Sequence, residues 1–104
     1  MNIDIYTVSI SEQAKDDIRN LRDVITYQYD SPNTAFKYIQ GVIDVIKSLS
    51  KNPERHAIRR NRSLLQYGMN VRRVDYKKMA ILYTINGDTV YIHRVVASSM
   101  ITGL

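Results

Sequence analysis

The sequence contains no cysteine, which rules out disulfide staples, thiolate nucleophiles and thiolate metal sites. Its two histidines, His56 and His93, are too few to build a metal centre by themselves, so neither a metal nor a cofactor is expected. Long apolar runs are missing as well. The longest, Met79 to Tyr83, falls far short of the roughly 20 residues that a membrane span requires. The start, Met1-Asn2-Ile3-Asp4, has no basic segment leading into an apolar one, and this predicts a cytoplasmic protein without a membrane partner. Repeats, low-complexity tracts and linkers are not seen. At roughly 100–200 residues per domain, the 104 residues make one domain, 1–104. A core of that size leaves no deep internal cavity, so any site is a surface groove.

What is present is the composition of an ordinary folded domain, 44% hydrophobic and 24% charged. The net charge of +5 hides an asymmetry. Residues 1–50 hold 5 Lys/Arg against 7 Asp/Glu, whereas residues 51–104 hold 10 against 3. Segregated positive charge of this kind argues for an acidic partner, nucleic acid or protein, on the C-terminal half.

Apolar and polar residues alternate from Ile3 to Ile10, with a change of phase near Tyr6, in a segment rich in β-branched residues, and predict a first strand. Ser11 then offers a cap and Glu12 complements the helix dipole. Ala14, Ile18, Leu21 and Ile25 recur at helical spacing, giving a helix to about Tyr29. Ser31-Pro32 starts a second helix, since a missing N–H costs nothing at the first position. Its seam is Ala35, Ile39, Val42, Ile46 and Leu49, and Asn52-Pro53 stops it. Beyond a basic connecting segment, Met69 to Val74, Met79 to Ile85 and Thr89 to Val96 read as three strands. Asp75 to Lys78 form the first turn, and Asn86-Gly87 signals a tight hairpin because both residues tolerate positive φ. The pattern is α+β: a strand, a helical hairpin and an antiparallel meander, with the helices on one face of the sheet and the other at least partly open.

The cations of the second half are Arg59, Arg60 and Arg62 in the connecting segment, Arg72 and Arg73 on a strand, Lys77 and Lys78 on a turn, and Arg94 on the last strand. Tyr67, Tyr76, Tyr83 and Tyr91 lie among them. Guanidinium groups hold phosphates and aromatic faces stack on unpaired bases, so the combination on an open sheet is a candidate surface for RNA or another acidic target. Strand alternation puts Arg94 on an apolar face with Ile92 and Val96, where it needs a carboxylate such as Asp75 or Asp17, or a ligand phosphate. His93 is the natural proton carrier for metal-free RNA cleavage, with Arg73 or Lys77 to stabilise the phosphate. Arg73 and His93 are therefore the catalytic candidates. The remaining cations, with Tyr83 and Tyr91, are candidates for binding.

The order of these elements, together with Ile10-Ser11-Glu12-Gln13-Ala14-Lys15-Asp16-Asp17-Ile18, Ser31-Pro32-Asn33-Thr34-Ala35, Leu49-Ser50-Lys51-Asn52-Pro53, Val71-Arg72-Arg73-Val74, Ile81-Leu82-Tyr83-Thr84-Ile85 and Val90-Tyr91-Ile92-His93-Arg94-Val95, resembles the RelE/ParE superfamily of type II toxin–antitoxin toxins over nearly the whole chain. The resemblance implies a growth-inhibiting bacterial toxin, of the kind that serves plasmid stabilisation, neutralised by a cognate antitoxin that wraps around it. RelE-like members cleave messenger RNA on the ribosome with strand cations and a basic or aromatic residue near the C-terminus. Arg73 matches one such cation, but Ala80 stands where the third strand of those nucleases begins with arginine, and Met100 stands near the C-terminal cation. ParE-like members have a longer helical hairpin, as here, and poison DNA gyrase. The tail from Ala97 to Leu104 lacks the His and Arg-Asp ending common among them. Two missing nuclease cations favour a ParE-like, non-nucleolytic toxin acting on gyrase or another target. A RelE-like endoribonuclease and a non-toxic binding or regulatory domain remain open as alternatives.

Overall fold

A computed structural model describes residues 5–101. Its elements are β1 (Thr7–Ile10), α1 (Glu12–Tyr29), α2 (Pro32–Ser48), β2 (Arg72–Tyr76), β3 (Met79–Asn86) and β4 (Thr89–Ala97). Short 3-10 helices cover Pro53–Arg55, Arg62–Tyr67 and Ser98–Met100. The sheet order is β1-β4-β3-β2, with β1 parallel to β4 and the other pairs antiparallel. The expected α+β arrangement of strand, helical hairpin and meander is the one observed. Among the described residues no helix is long and apolar enough to cross a membrane.

The helices start where their caps allow. Ser11 Oγ accepts from the Ala14 amide at 3.0 Å and Ser31 Oγ from the Thr34 amide at 3.2 Å, each satisfying an N–H that has no intrahelical partner. Asp30, at φ 49°, turns the chain out of α1, and Asn52, at φ 52°, turns it into the Pro53–Arg55 helix, both in the left-handed region that short polar side chains tolerate. The apolar stripes meet one sheet face. Ala14, Val42, Ile46 and Leu49 pack on Val74, Ile81, Tyr83, Val90, Ile92 and Val95. On β2 the approach is so close that a Cβ added at Gly41 would overlap the Tyr76 ring, which is why glycine occupies the middle of α2 despite its helix cost.

Four expectations shift. Ile3 and Asp4, at the start of the expected first strand, lie outside the described residues; ladder pairing begins at Thr7, after the Tyr6 amide bonds Ser50 O at 2.7 Å. Strand β2 starts three residues later and ends two residues later than the Met69–Val74 expectation: Asp75 pairs with Ala80 and Tyr76 with Met79, leaving a two-residue turn, Lys77-Lys78. Tyr76 stays in the strand because its ring packs edge-on against Tyr38, centroids 5.3 Å apart, and Lys77 takes the positive φ, 52°, that so tight a turn needs. The β3–β4 loop is Gly87-Asp88, one residue beyond Asn86-Gly87, with Asn86 paired to Thr89 and Gly87 at φ 63°. Finally, the face away from the helices carries a core of its own. Leu64, Val71, Ala80, Leu82 and Ile101 are buried there with Tyr67 and Val96 against them, so the Arg62–Tyr67 helix and Ile101 cover part of a face expected to be at least partly open.

Candidate functional site

Strand β4 passes from β1 to a different neighbour halfway along. After Ile10 the chain leaves the sheet to enter α1, and the rest of the β4 edge is taken over by side chains of that helix and its cap. The Ser11 amide bonds Ile92 O and Ser11 Oγ donates to His93 O, both at 3.0 Å. Six residues on, Asp17 accepts from Val95 N at 2.9 Å and receives the Arg94 fork, Nε at 2.7 Å and Nη2 at 2.9 Å. Asp17 thus does for the strand edge what another strand would do, and it neutralises a largely buried guanidinium. The bidentate carboxylate holds the Arg94 pKa well above its ordinary value, against the opposing effect of burial. Of the two carboxylates expected for Arg94, Asp17 is the partner.

The ladder between β3 and β4 slips beside this pair. Leu82 faces Arg94 while Tyr83 faces Ile92, so His93 is an extra residue in a bulge. The bulge reverses the alternation on which the sequence reading relied: Ile92 lies in the helix-side core, while Arg94 belongs with Leu82 and Val96 on the far face. His93 Nε2 lies 2.8 Å from Thr84 Oγ1, and its ring stacks on Tyr67, centroids 5.5 Å apart. Burial lowers its pKa, which favours the neutral imidazole.

The remaining candidates divide among separate places. Arg72 turns toward the end of α2 and donates to the carbonyls of His56 at 2.6 Å and Glu54 at 3.0 Å. Tyr83 beside it is wholly buried, its hydroxyl donating to Pro53 O at 2.6 Å, and burial pushes its pKa up to about 12. It has no surface to offer a target. Both side chains fasten the segment after α2 to the sheet. His56, in the same place, has its pKa lowered by burial and then by Arg55 and Arg72. Arg73 points to the far face, where Asp75 holds its Nε at 2.7 Å and its Nη2 at 3.3 Å. The Arg59 amide bonds Val71 O at 2.7 Å, while Arg60 and Arg62 are exposed. Lys77 and Lys78 stand on the β2–β3 turn, with Lys77 Nζ 5.4 Å from the centre of the Tyr38 ring and 5.5 Å from that of Tyr76. Tyr91 is exposed on β4.

The candidate cations therefore do not share one uncovered face. Three are engaged internally, Arg72 by carbonyls and Arg73 and Arg94 by carboxylates, because a guanidinium held against a packed surface must find acceptors. Sequence reasoning did not single out Ser11, Thr84 or Ser98. Ser11 was legible as a helix cap only; Thr84 meets His93 across the β3–β4 hairpin and the Ser98 amide bonds Lys78 O on the β2–β3 turn, contacts set by strand register and not by adjacent residues. Among the described residues no group of three or more His, Asp or Glu side chains is placed to hold a metal ion.

A helical hairpin laid on a four-stranded mixed sheet is the α+β arrangement anticipated above. The chain belongs to the family of ParE toxins of type II toxin–antitoxin systems, parDE, whose family model matches residues 8–102. Solved structures that share the fold include two toxin–antitoxin systems. The chromosomal ParDE system from P. aeruginosa superposes with a TM-score of 0.75 at 17% identity, covering 89% of this chain and 96% of that one. The RelBE2 toxin–antitoxin complex from Mycobacterium tuberculosis gives a TM-score of 0.61 at 22% identity, covering 92% and 94%. No curated protein sequence matches the chain significantly.

Proposed function

We propose that the protein is a cytoplasmic, growth-arresting toxin of the ParE type, neutralised by a cognate antitoxin and acting on DNA gyrase or another target without cutting RNA. The observation that carries this reading is the family match over residues 8–102. The state of the cations supports the non-nucleolytic mode. Where the resemblance implies two nuclease cations, the chain has Ala80, which is wholly buried, and the neighbourhood of Met100. Arg73 spends its fork on Asp75, and Arg94 spends its own on Asp17. The lowered pKa of His93 suits a proton acceptor, but its Nε2 is already met by Thr84. Metal-free cleavage of an RNA backbone needs free cations at the phosphate and a second proton-transfer group.

The test is induced expression with and without the acidic reading frame expected beside the gene. Growth should stop without the neighbour and resume with it, accompanied by broken or relaxed DNA and intact messages. New 5′ ends on cellular messages would replace this mode with ribonuclease action. Unimpaired growth would leave a binding or regulatory domain.

A further inference from the structure

Among the described residues, three buried side-chain polar atoms have no hydrogen-bond partner: His56 Nε2, Arg73 Nη1 and Ser98 Oγ. Such atoms are rare in folded proteins, and each calls for an explanation. Arg73 and Ser98 border the same recess, of about 520 Å³, between the β2–β3 turn and the chain leaving β4. The Arg73 side chain is only 8% exposed, so its unused nitrogen is a committed donor with nothing to accept it. Lys77 and Lys78 stand at the same recess and Met79 and Ala97 line it. Everything left unsatisfied there can donate, and three cations face one carboxylate, Asp75. The missing component is an oxyanion.

We propose that this recess is a carboxylate site, and that it takes an aspartate or glutamate side chain from an acidic, amphipathic protein segment. The inference rests on the antitoxin reading above and gives that partner a specific anchor. Three features favour a peptide carboxylate over a nucleic-acid phosphate. The residues bordering the recess include no aromatic ring on which a base stacks. Asp75, its side chain 49% exposed, repels a polyanion that brings further phosphates past it but tolerates a single carboxylate paired to the cations. The Lys77-Lys78 turn is also one wall of a mixed groove in which Leu21, Val24 and Ile25 lie beside Gln28, Tyr29 and Thr34, so an amphipathic segment seated there reaches the recess by crossing the two lysines. In the free chain Arg73 Nη1 and Ser98 Oγ are both sealed from solvent. Occupancy therefore requires the Ser98–Met100 turn, joined to the β2–β3 turn through Ser98 N and Lys78 O at 2.8 Å, to shift outward.

Two measurements test this. Glutarate, a mimic of the glutamate side chain, is titrated into the isotopically labelled full chain while the Ser98 amide and Arg73 Nε resonances are followed. Saturable shifts are expected, stronger than those from inorganic phosphate and lost in Arg73→Gln. No shift, or preferential saturation by phosphate or by a short single-stranded RNA, overturns the proposal. In the second measurement the product of the neighbouring reading frame is titrated calorimetrically. Affinity should fall about tenfold for Arg73→Gln and about threefold for Ser98→Ala, as expected when a charge-assisted bond or a neutral one is removed. Folded variants that bind like the parent chain overturn it. If the neighbour does not bind the parent chain, the antitoxin reading fails, while the glutarate titration still decides whether the site exists. Should Arg73→Gln not fold, Ser98→Ala and the titration of the parent chain carry the test.

Discussion

The face of the sheet under the helices and the face away from them bury different things. Under the helices, Val42, Ile46 and Leu49 meet Ile81, Val90 and Ile92 in a continuous apolar layer. On the far face a smaller group, Leu64, Val71, Ala80, Leu82 and Ile101, shares its surroundings with Arg73, His93 and Arg94. The first face stabilises the fold mainly by apolar burial, which needs no partner; its polar groups, Tyr83 and Arg72, are confined to the end near Pro53 and bond carbonyls there. The second holds groups whose needs are met by specific contacts or not met at all, and groups of that kind are the ones a ligand or partner can engage.

Large-to-small substitution separates the two faces most strongly. Ile46→Ala, in the helix-side layer, should lose about 3–4 kcal/mol, and Leu64→Ala, in the smaller layer, about 2 kcal/mol, within the range for buried aliphatic truncations. Urea unfolding monitored by circular dichroism gives both values, and equal losses would break the contrast. Next comes the polar contact that ties the far face to α1. Asp17→Ala leaves Arg94 unpaired and the Val95 amide without its acceptor, and should cost about 2–3 kcal/mol. That is less than for a fully buried pair because Arg94 keeps 25% of its side-chain exposure. If high salt abolishes the difference between Asp17→Ala and the parent chain, the contact is a screened surface pair and not a structural one.

Gly41→Ala probes the helix-side packing at its tightest point. The added methyl meets the Tyr76 ring, so the usual gain of alanine over glycine in a helix should be reversed into a loss of about 1 kcal/mol. A more stable variant would mean that the ring moves aside freely. The smallest effect is that of pH. Burial lowers the pKa of His93, and burial followed by Arg55 and Arg72 lowers that of His56, in both cases below 6.5. As the pH falls through 6.5 the unfolded chain takes up protons before the folded one does, so stability should decline below that pH and level off once the folded histidines also protonate. His93→Gln should flatten part of this slope in unfolding curves collected across the window. An unchanged slope would place the coupling at His56.

The parts of the fold that depend on neighbours in sequence were legible in it. Ser11 and Ser31 as caps, Pro32 at a helix start and the seams of both helices are matters of a few adjacent residues, and all are observed. The start of β2 was not, because Met69 and Asn70 carry strand-like neighbours yet lie outside the ladder, while Tyr76 is kept in it by a ring some forty residues away on α2. The second core escaped notice for the same reason: Leu64 and Ile101 sit in segments with no periodic pattern, and only their convergence on Leu82 reveals their role. At the candidate site, the need of Arg94 for Asp17 or Asp75 was a deduction from apolar neighbours. The deduction found the right kind of partner although one of those neighbours, Ile92, proved to face the opposite way.

That reversal has a bearing on comparing this toxin with its relatives. Because one surplus residue at position 93 shifts the frame of β4, odd and even positions exchange layers between Ile92 and Arg94. In a relative with a regular β4, an arginine two residues after the equivalent of Ile92, and so matched to Arg94 when no gap is placed, would turn toward its helices. Roles on this strand are therefore transferable between family members only when positions are counted outward from the irregularity, and an ungapped alignment across it equates side chains that occupy opposite sides of the molecule.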